Sequence, residues 1–147
     1  MKFDLGHGNA SFTWKQAVPA IKQGFWPDSI STDAHIRSTN GGMKDMTYTM
    51  SKVLVLGVPF ADVIKMSTWN PAQQIKRPDL GHLTRGATAD LAVFSIATGK
   101  FGYLDYTTAR FDATQRISCE LTVREGKVVW DLNGIAGQDW RTYYRVQ

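Results

Sequence analysis

The chain has 147 residues, 43% hydrophobic and 20% charged, with 17 basic against 13 acidic residues for a net charge of +4. That is long enough for one domain with a real core, and the scattered basic residues, with Lys76-Arg77 the only adjacent pair, argue against a nucleic-acid partner. One cysteine, Cys119, excludes an internal disulfide, while the lack of a secretory leader or a membrane-length apolar run predicts a cytoplasmic protein with no membrane partner.

Phe3 to Leu5 reads as a short strand, and Gly6-His7-Gly8 as the turn that leaves it. A chain that opens inside a strand is expected to be part of something longer. Thr13-Trp14-Lys15-Gln16 matches a capping box, and Trp14, Ala17, Val18 and Ile21 follow at helical spacing as far as Gly24, a suitable stop. Pro19 removes one backbone donor from that helix. After the linker Phe25-Trp26-Pro27, Ser29 to Thr32 predicts a second strand centred on Ile30.

His35 to Lys44 is polar and contains Asn40-Gly41-Gly42, which predicts a flexible loop outside the core. Asp45 is placed to cap a helix with Met46, Met50, Val53 and Leu54 on one face, ended by Gly57. Met43, Met46 and Met50 read as gap-filling core. A second short helix over 60–66 is expected to bury Val63 and Ile64, and a third to open with Asn70 as cap and Pro71 first.

Beyond Lys76-Arg77-Pro78 the pattern turns to β. Leu91 to Phe94 is a compact apolar strand, and Ile117, Cys119, Leu121 and Val123 alternate with polar residues as a half-buried strand. That alternation predicts Cys119 as a small buried hydrophobe. Glu125-Gly126 turns this strand into Val128-Val129-Trp130, and 134–147 reads as a peripheral tail. The expected domains are 1–79, of strand–helix grammar, 80–133, mostly β, and the tail 134–147.

Three motifs carry possible chemistry. Gly6-His7-Gly8-Asn9-Ala10-Ser11 is a near miss to a dinucleotide fingerprint, since Ser11 stands where the third glycine should be and Asp28 precedes a strand. His7 itself, held between two glycines that let a ligand approach the backbone, is a candidate chemical group. Asp33 falls at the end of the second strand with His35 two residues later, and strand C-termini are where ligands bind in barrels and open sheets. A carboxylate there can hold a divalent metal and take the proton from its bound water. One aspartate and two histidines do not fill a site whose metal wants about four ligands.

Phe3 to Gly8, Asp28 to His35, Met46 to Lys52, Ser67 to Ala72, and later Gly81-His82-Leu83 through Gly86-Ala87-Thr88-Ala89-Asp90-Leu91 together resemble the amidohydrolase superfamily, in particular its dihydroorotase-like deacetylase branch. The likeness covers nearly all of residues 3 to 133. It implies an α/β fold made of the C-terminal strand–helix units of a (β/α)8 barrel, followed by strands of a small β-sandwich. It also implies one or two divalent metals, usually zinc, and hydrolysis of an amide or N-acyl C–N bond in a small-molecule substrate.

By that resemblance Phe3 to Leu5 is the seventh barrel strand and Ser29 to Thr32 the eighth. Asp33 then matches the eighth-strand aspartate that binds metal and acts as general base, while His7, Gly8 and His35 fall where substrate contacts are expected. The family's paired His-x-His, bridging carboxylated lysine and middle-strand histidines have no counterpart among these residues. The resemblance therefore implies a portion of an enzyme, inactive alone, that needs a complementing N-terminal part. A non-catalytic α/β module is the alternative, with exposed strand edges that favour homo-oligomers.

Overall fold

A computed structural model of the chain describes residues 1–38 and 41–145. Asn40 of the polar loop, and Val146 and Gln147 of the tail, lie outside the described residues. Among the described residues no helix is long and apolar enough to cross a membrane. The chain divides into two compact units: 1–87 with 96–118, and 88–95 with 119–147.

The first unit begins with a β-α-β element: β1 (Asp4–Gly6), α1 (Trp14–Lys22) and β2 (Ser29–Ser31). The two strands are parallel, with Leu5 opposite Ile30 and Gly6 opposite Ser31. Side chains alternate across a strand, so Leu5 and Ile30 share one face while Asp4, Ser29 and Ser31 share the other. Ile30 is buried; on the polar face the Ser29 and Ser31 hydroxyls both donate to the Asp4 carboxylate.

The expected capping box is corrected: the Thr13 hydroxyl donates to the side-chain carbonyl of Gln16 at 3.1 Å instead of taking a backbone amide. α1 passes through Pro19, which is exposed, as is Lys15 one turn back, so the lost bond lies on the solvent side. It ends as expected at Gly24, whose φ of +82° lets Gly24 N–H reach Ile21 O and Phe25 N–H reach Ala20 O. Those two bonds are the Schellman pattern.

Helix α2 (Met46–Val55) is capped by Asp45, which accepts from Tyr48 N–H at 2.7 Å. Thr49, Met50, Ser51, Lys52 and Val53 are all buried, so the helix is enclosed on more than the single apolar face its methionines predict. Its polar core residues are satisfied: Ser51 Oγ donates to Thr47 O and accepts from Ile117 N–H. The polar loop before it is corrected in part, because Ser38, Gly42 and Met43 are buried. Gly42 packs so closely on the Asp105 carbonyl that no side chain would fit.

Helix α3 (Phe60–Ser67) buries Val63 and Met66, with Ile64 only half-buried. Thr68, not Asn70, precedes α4 (Trp69–Gln74), which places Pro71 third and frees the Asn70 amide to donate to Asp28 O at 2.8 Å. All three helices pack on β2.

Three longer strands form a second sheet in the order β3 (Leu91–Leu104), β4 (Arg110–Arg124), β5 (Lys127–Asp131). In the first unit, Tyr103 joins Phe12 and Trp14 in an aromatic core, with Phe111 stacked on Trp14 at 4.7 Å. The Trp14 indole N–H is shared between Tyr103 O and Ala109 O. In the second unit β4 and β5 are antiparallel. Positive φ at both Glu125 and Gly126 gives the hairpin turn whose twist suits its strands. Cys119 is half-buried, its thiol against Thr122 Oγ1 at 3.3 Å, which corrects the expected buried hydrophobe. The tail forms α5 (Trp140–Tyr143) under an Asp139 cap.

Candidate active site

The C-terminal ends of β1 and β2 bring the Gly-His-Gly turn and Asp33 together. Hydrogen bonds continue past the strands, from His7 N–H to Ser31 O and from Gly8 N–H to Thr32 O at 2.9 Å. Asp33 then turns with φ +48° and Gly8 with φ +46°, both in the left-handed region. The two are in close contact: a Cβ on Gly8 would lie 2.5 Å from Asp33 Oδ2. A glycine is thus required here on two independent counts, conformation and space.

Asp33 is exposed, with its carboxylate at the strand end. His35 is exposed as well, and its ring is turned back on its own loop, Nδ1 accepting from Arg37 N–H. Ser38 closes that loop by accepting from His35 N–H and donating to His35 O, both at 2.9 Å. Asp28 is committed elsewhere: the Lys2 ammonium and Phe3 N–H bond its carboxylate and hold it below the usual carboxylate range.

His7 has no exposed surface. Its ring stacks on Phe12 at 5.0 Å, Nδ1 lies 3.1 Å from Gly8 O, and Nε2 lies 2.5 Å from Lys52 Nζ. Burial pushes the imidazole below its ordinary value, and the neighbouring Lys52 adds to this.

Lys52 is the residue that sequence reasoning missed. It is fully buried in α2, and Nζ also donates to Gly42 O and Leu104 O. The rings of Tyr48, Phe12 and Trp14 surround it at 4.8, 5.0 and 5.7 Å. Burial pushes its ammonium down to about 7, against the pull of Asp105 and with a small push from Lys44. Asp105 is buried too; burial raises its carboxyl, but bonds from Thr107, Trp14 and Ala109 outweigh this and hold it low.

Among the described residues no three His, Cys, Asp or Glu side chains lie together as a metal set. Asp33 is a single exposed carboxylate, while both nitrogens of His7 are engaged inside the core. The residues present therefore do not by themselves fit a complete divalent-metal site. An open groove of about 330 Å³ between β1 and α1, lined by Leu5, Phe12, Ala17, Ile21 and Phe25, is apolar and includes none of the candidate residues.

The model of the Amidohydrolase family matches residues 2–130. A deacetylase of Brucella anthropi is 44% identical over 96 residues, 65% of this chain and 24% of that protein. A crystal structure of an adenine deaminase superposes with a TM-score of 0.84 at 32% identity, covering 89% of this chain and 36% of the other. A crystal structure of a dihydroorotase gives 0.78 at 32% identity over 88% and 36%. The chain thus spans about a quarter to a third of the length of these proteins. The chain belongs to the amidohydrolase family, whose members that it resembles hydrolyse carbon–nitrogen bonds other than peptide bonds.

Proposed function

We propose that this chain forms one wall of the active site of a metal-dependent amidohydrolase that cleaves an amide or N-acyl bond in a small molecule. The observation that carries this reading is the exposed Asp33 carboxylate, held in a left-handed turn against Gly8 at the ends of two parallel strands. In this reading β1 and β2 are adjacent strands of a barrel, and the second sheet is a share of a small β-sandwich. Deacetylation is the favoured reaction, because the deacetylase of Brucella anthropi has the highest identity quoted above.

Asp33 accepts the proton of the hydrolytic water and returns it to the leaving nitrogen, a role in which a positioned carboxylate contributes about 10²–10⁴-fold. A divalent metal such as zinc, which Asp33 would help to hold, would supply Lewis-acid polarisation of the carbonyl. Among the described residues Asp33 is the ligand that this reading supplies. The Gly8 backbone is offered to the substrate beside Asp33; His35 would reach it by releasing the bond from Arg37 N–H, and His7 is buried behind them.

The experiment is a chimaera in which residues 2–130 replace the matching region of the Brucella anthropi deacetylase. With zinc it is expected to deacetylate, whereas the 147-residue chain with zinc is expected to show no turnover. A folded chimaera without deacetylase activity would count against the reading, as would turnover by the isolated chain.

A further inference from the structure

A buried lysine surrounded by three aromatic rings and bonded to a histidine is unusual for a helix in the core, and that histidine, His7, is the neighbour of Gly8, against which the candidate carboxylate packs. An ammonium has three donors and no acceptor. Lys52 Nζ finds three acceptors, Gly42 O, Leu104 O and His7 Nε2, on three different segments. For His7 Nε2 to accept, it must carry the lone pair, so the ring proton sits on Nδ1. That atom is the one 3.1 Å from Gly8 O, and the Nδ1–H donates there. The opposite tautomer would set two donors against each other at the charged Lys52, and in either charge state of Lys52 it would set two acceptors against each other at Gly8.

The line of contacts continues. Gly8 N–H donates to Thr32 O, and the Asp33 carboxylate occupies the space that a Cβ on Gly8 would need. Phe12, stacked on the imidazole at an interplanar angle of 15°, fixes the plane of the ring. Asp105, next in sequence to the acceptor Leu104, supplies the opposite charge; Lys44 and the Tyr48 ring are the other charged or titratable groups facing the ammonium.

We propose that Lys52 is a positioning residue: by holding His7 in its Nδ1–H tautomer, it fixes the Gly8 turn on which the Asp33 carboxylate rests. The inference rests on the reading of Asp33 as the reacting carboxylate, and it assigns no contact between Lys52 and substrate. A lysine serves better than an apolar residue of the same length because its donor at Nε2 adds to the Gly8 carbonyl at Nδ1 in selecting the tautomer of the imidazole.

The test is ¹⁵N NMR of the histidine side chains in the full 147-residue chain, with His7 assigned by its loss in His7→Gln. The wild type is expected to show neutral His7 with the proton on Nδ1 and the lone pair on Nε2. Lys52→Met is expected to give a mixture that includes the Nε2–H form, together with at least tenfold faster hydrogen exchange at the Gly8 amide. Wild-type His7 protonated on Nε2 would overturn the proposal, and so would Lys52→Met with tautomer and Gly8 exchange unchanged. If Lys52→Met does not fold, the wild-type tautomer decides alone. Asp33→Asn is expected to leave the His7 signals in place, since Asp33 lies downstream of the linkage; a change of tautomer in that variant would contradict the order of contacts. None of these readouts needs turnover, so a failure of the hydrolytic reading would show in the chimaera and not here.

Discussion

Gly8 carries two demands at one atom: a φ of +46°, and a neighbour, Asp33 Oδ2, where its Cβ would go. The left-handed conformation alone costs an alanine about 1–2 kcal/mol, and the carboxylate must also move aside. Gly8→Ala is therefore expected to lower the stability of the chain to urea by about 1–2 kcal/mol and to cut turnover of the chimaera by more than tenfold. A variant with the stability loss but full turnover would separate the turn from the site. Asp33 and Gly8 were both legible in the sequence, because a carboxylate past a short strand and a glycine-flanked turn are local patterns. Lys52 was not. A lysine in the last turn of a helix reads as a favourable partner of the helix dipole, and nothing local reveals that the Phe12 and Trp14 rings and three carbonyl or imidazole acceptors close over it from other segments, beside Tyr48 one turn back. His7 was legible as a marked residue, but its burial against Phe12 was not.

Among the elements, those with their signals in consecutive residues were read well. Asp45 caps α2 as expected, and Asp45→Ala should cost about 1 kcal/mol, seen as a fall of about 2–4 °C in Tm for a chain of this size. An unchanged Tm would mean that water replaces the cap without loss. Gly24 ends α1 by the bonds its position predicts. The capping box at Thr13 failed because the two side chains bond each other, leaving the backbone to its own Ala17 N–H to Thr13 O bond. Asn70 failed as a cap because its amide is drawn to Asp28 O, a contact 42 residues away. The expected strand over 91–94 is the start of one that runs to Leu104. Gly99 and Gly102 hide the rest, since glycine weakens the alternation by which a strand is recognised. At Gly102 the missing side chain makes room for the Arg110 guanidinium across the hairpin.

For the whole molecule, burial of Lys52 makes stability depend on pH. The unfolded chain keeps this proton up to about 10.4, whereas the folded chain releases it near 7. Between these values the unfolded state binds more protons, so stability rises with pH; below about 7 both states are charged and the contribution is flat. Urea unfolding is expected to show greater stability at pH 9.5 than at pH 7.5 in the wild type (values chosen inside that window), with the slope lost in Lys52→Met. The same slope in both proteins would assign it to other groups. His7 acts on the acid side: its lowered value means that stability present above about 6.5 is lost as the pH falls through the folded value.

Family membership was legible from motif blocks spread over the chain, and the match over residues 2–130 bears it out. The chemistry was legible only as far as one carboxylate, since among the described residues no three His, Cys, Asp or Glu side chains lie together. The most direct measurement is therefore deacetylation by the chimaera with and without Asp33→Asn. Asparagine keeps the size and tolerates the left-handed turn but accepts no proton. Turnover is expected to fall about 10²–10⁴-fold with Tm unchanged; turnover within a few-fold of the parent would contradict the assignment of Asp33 as the proton acceptor.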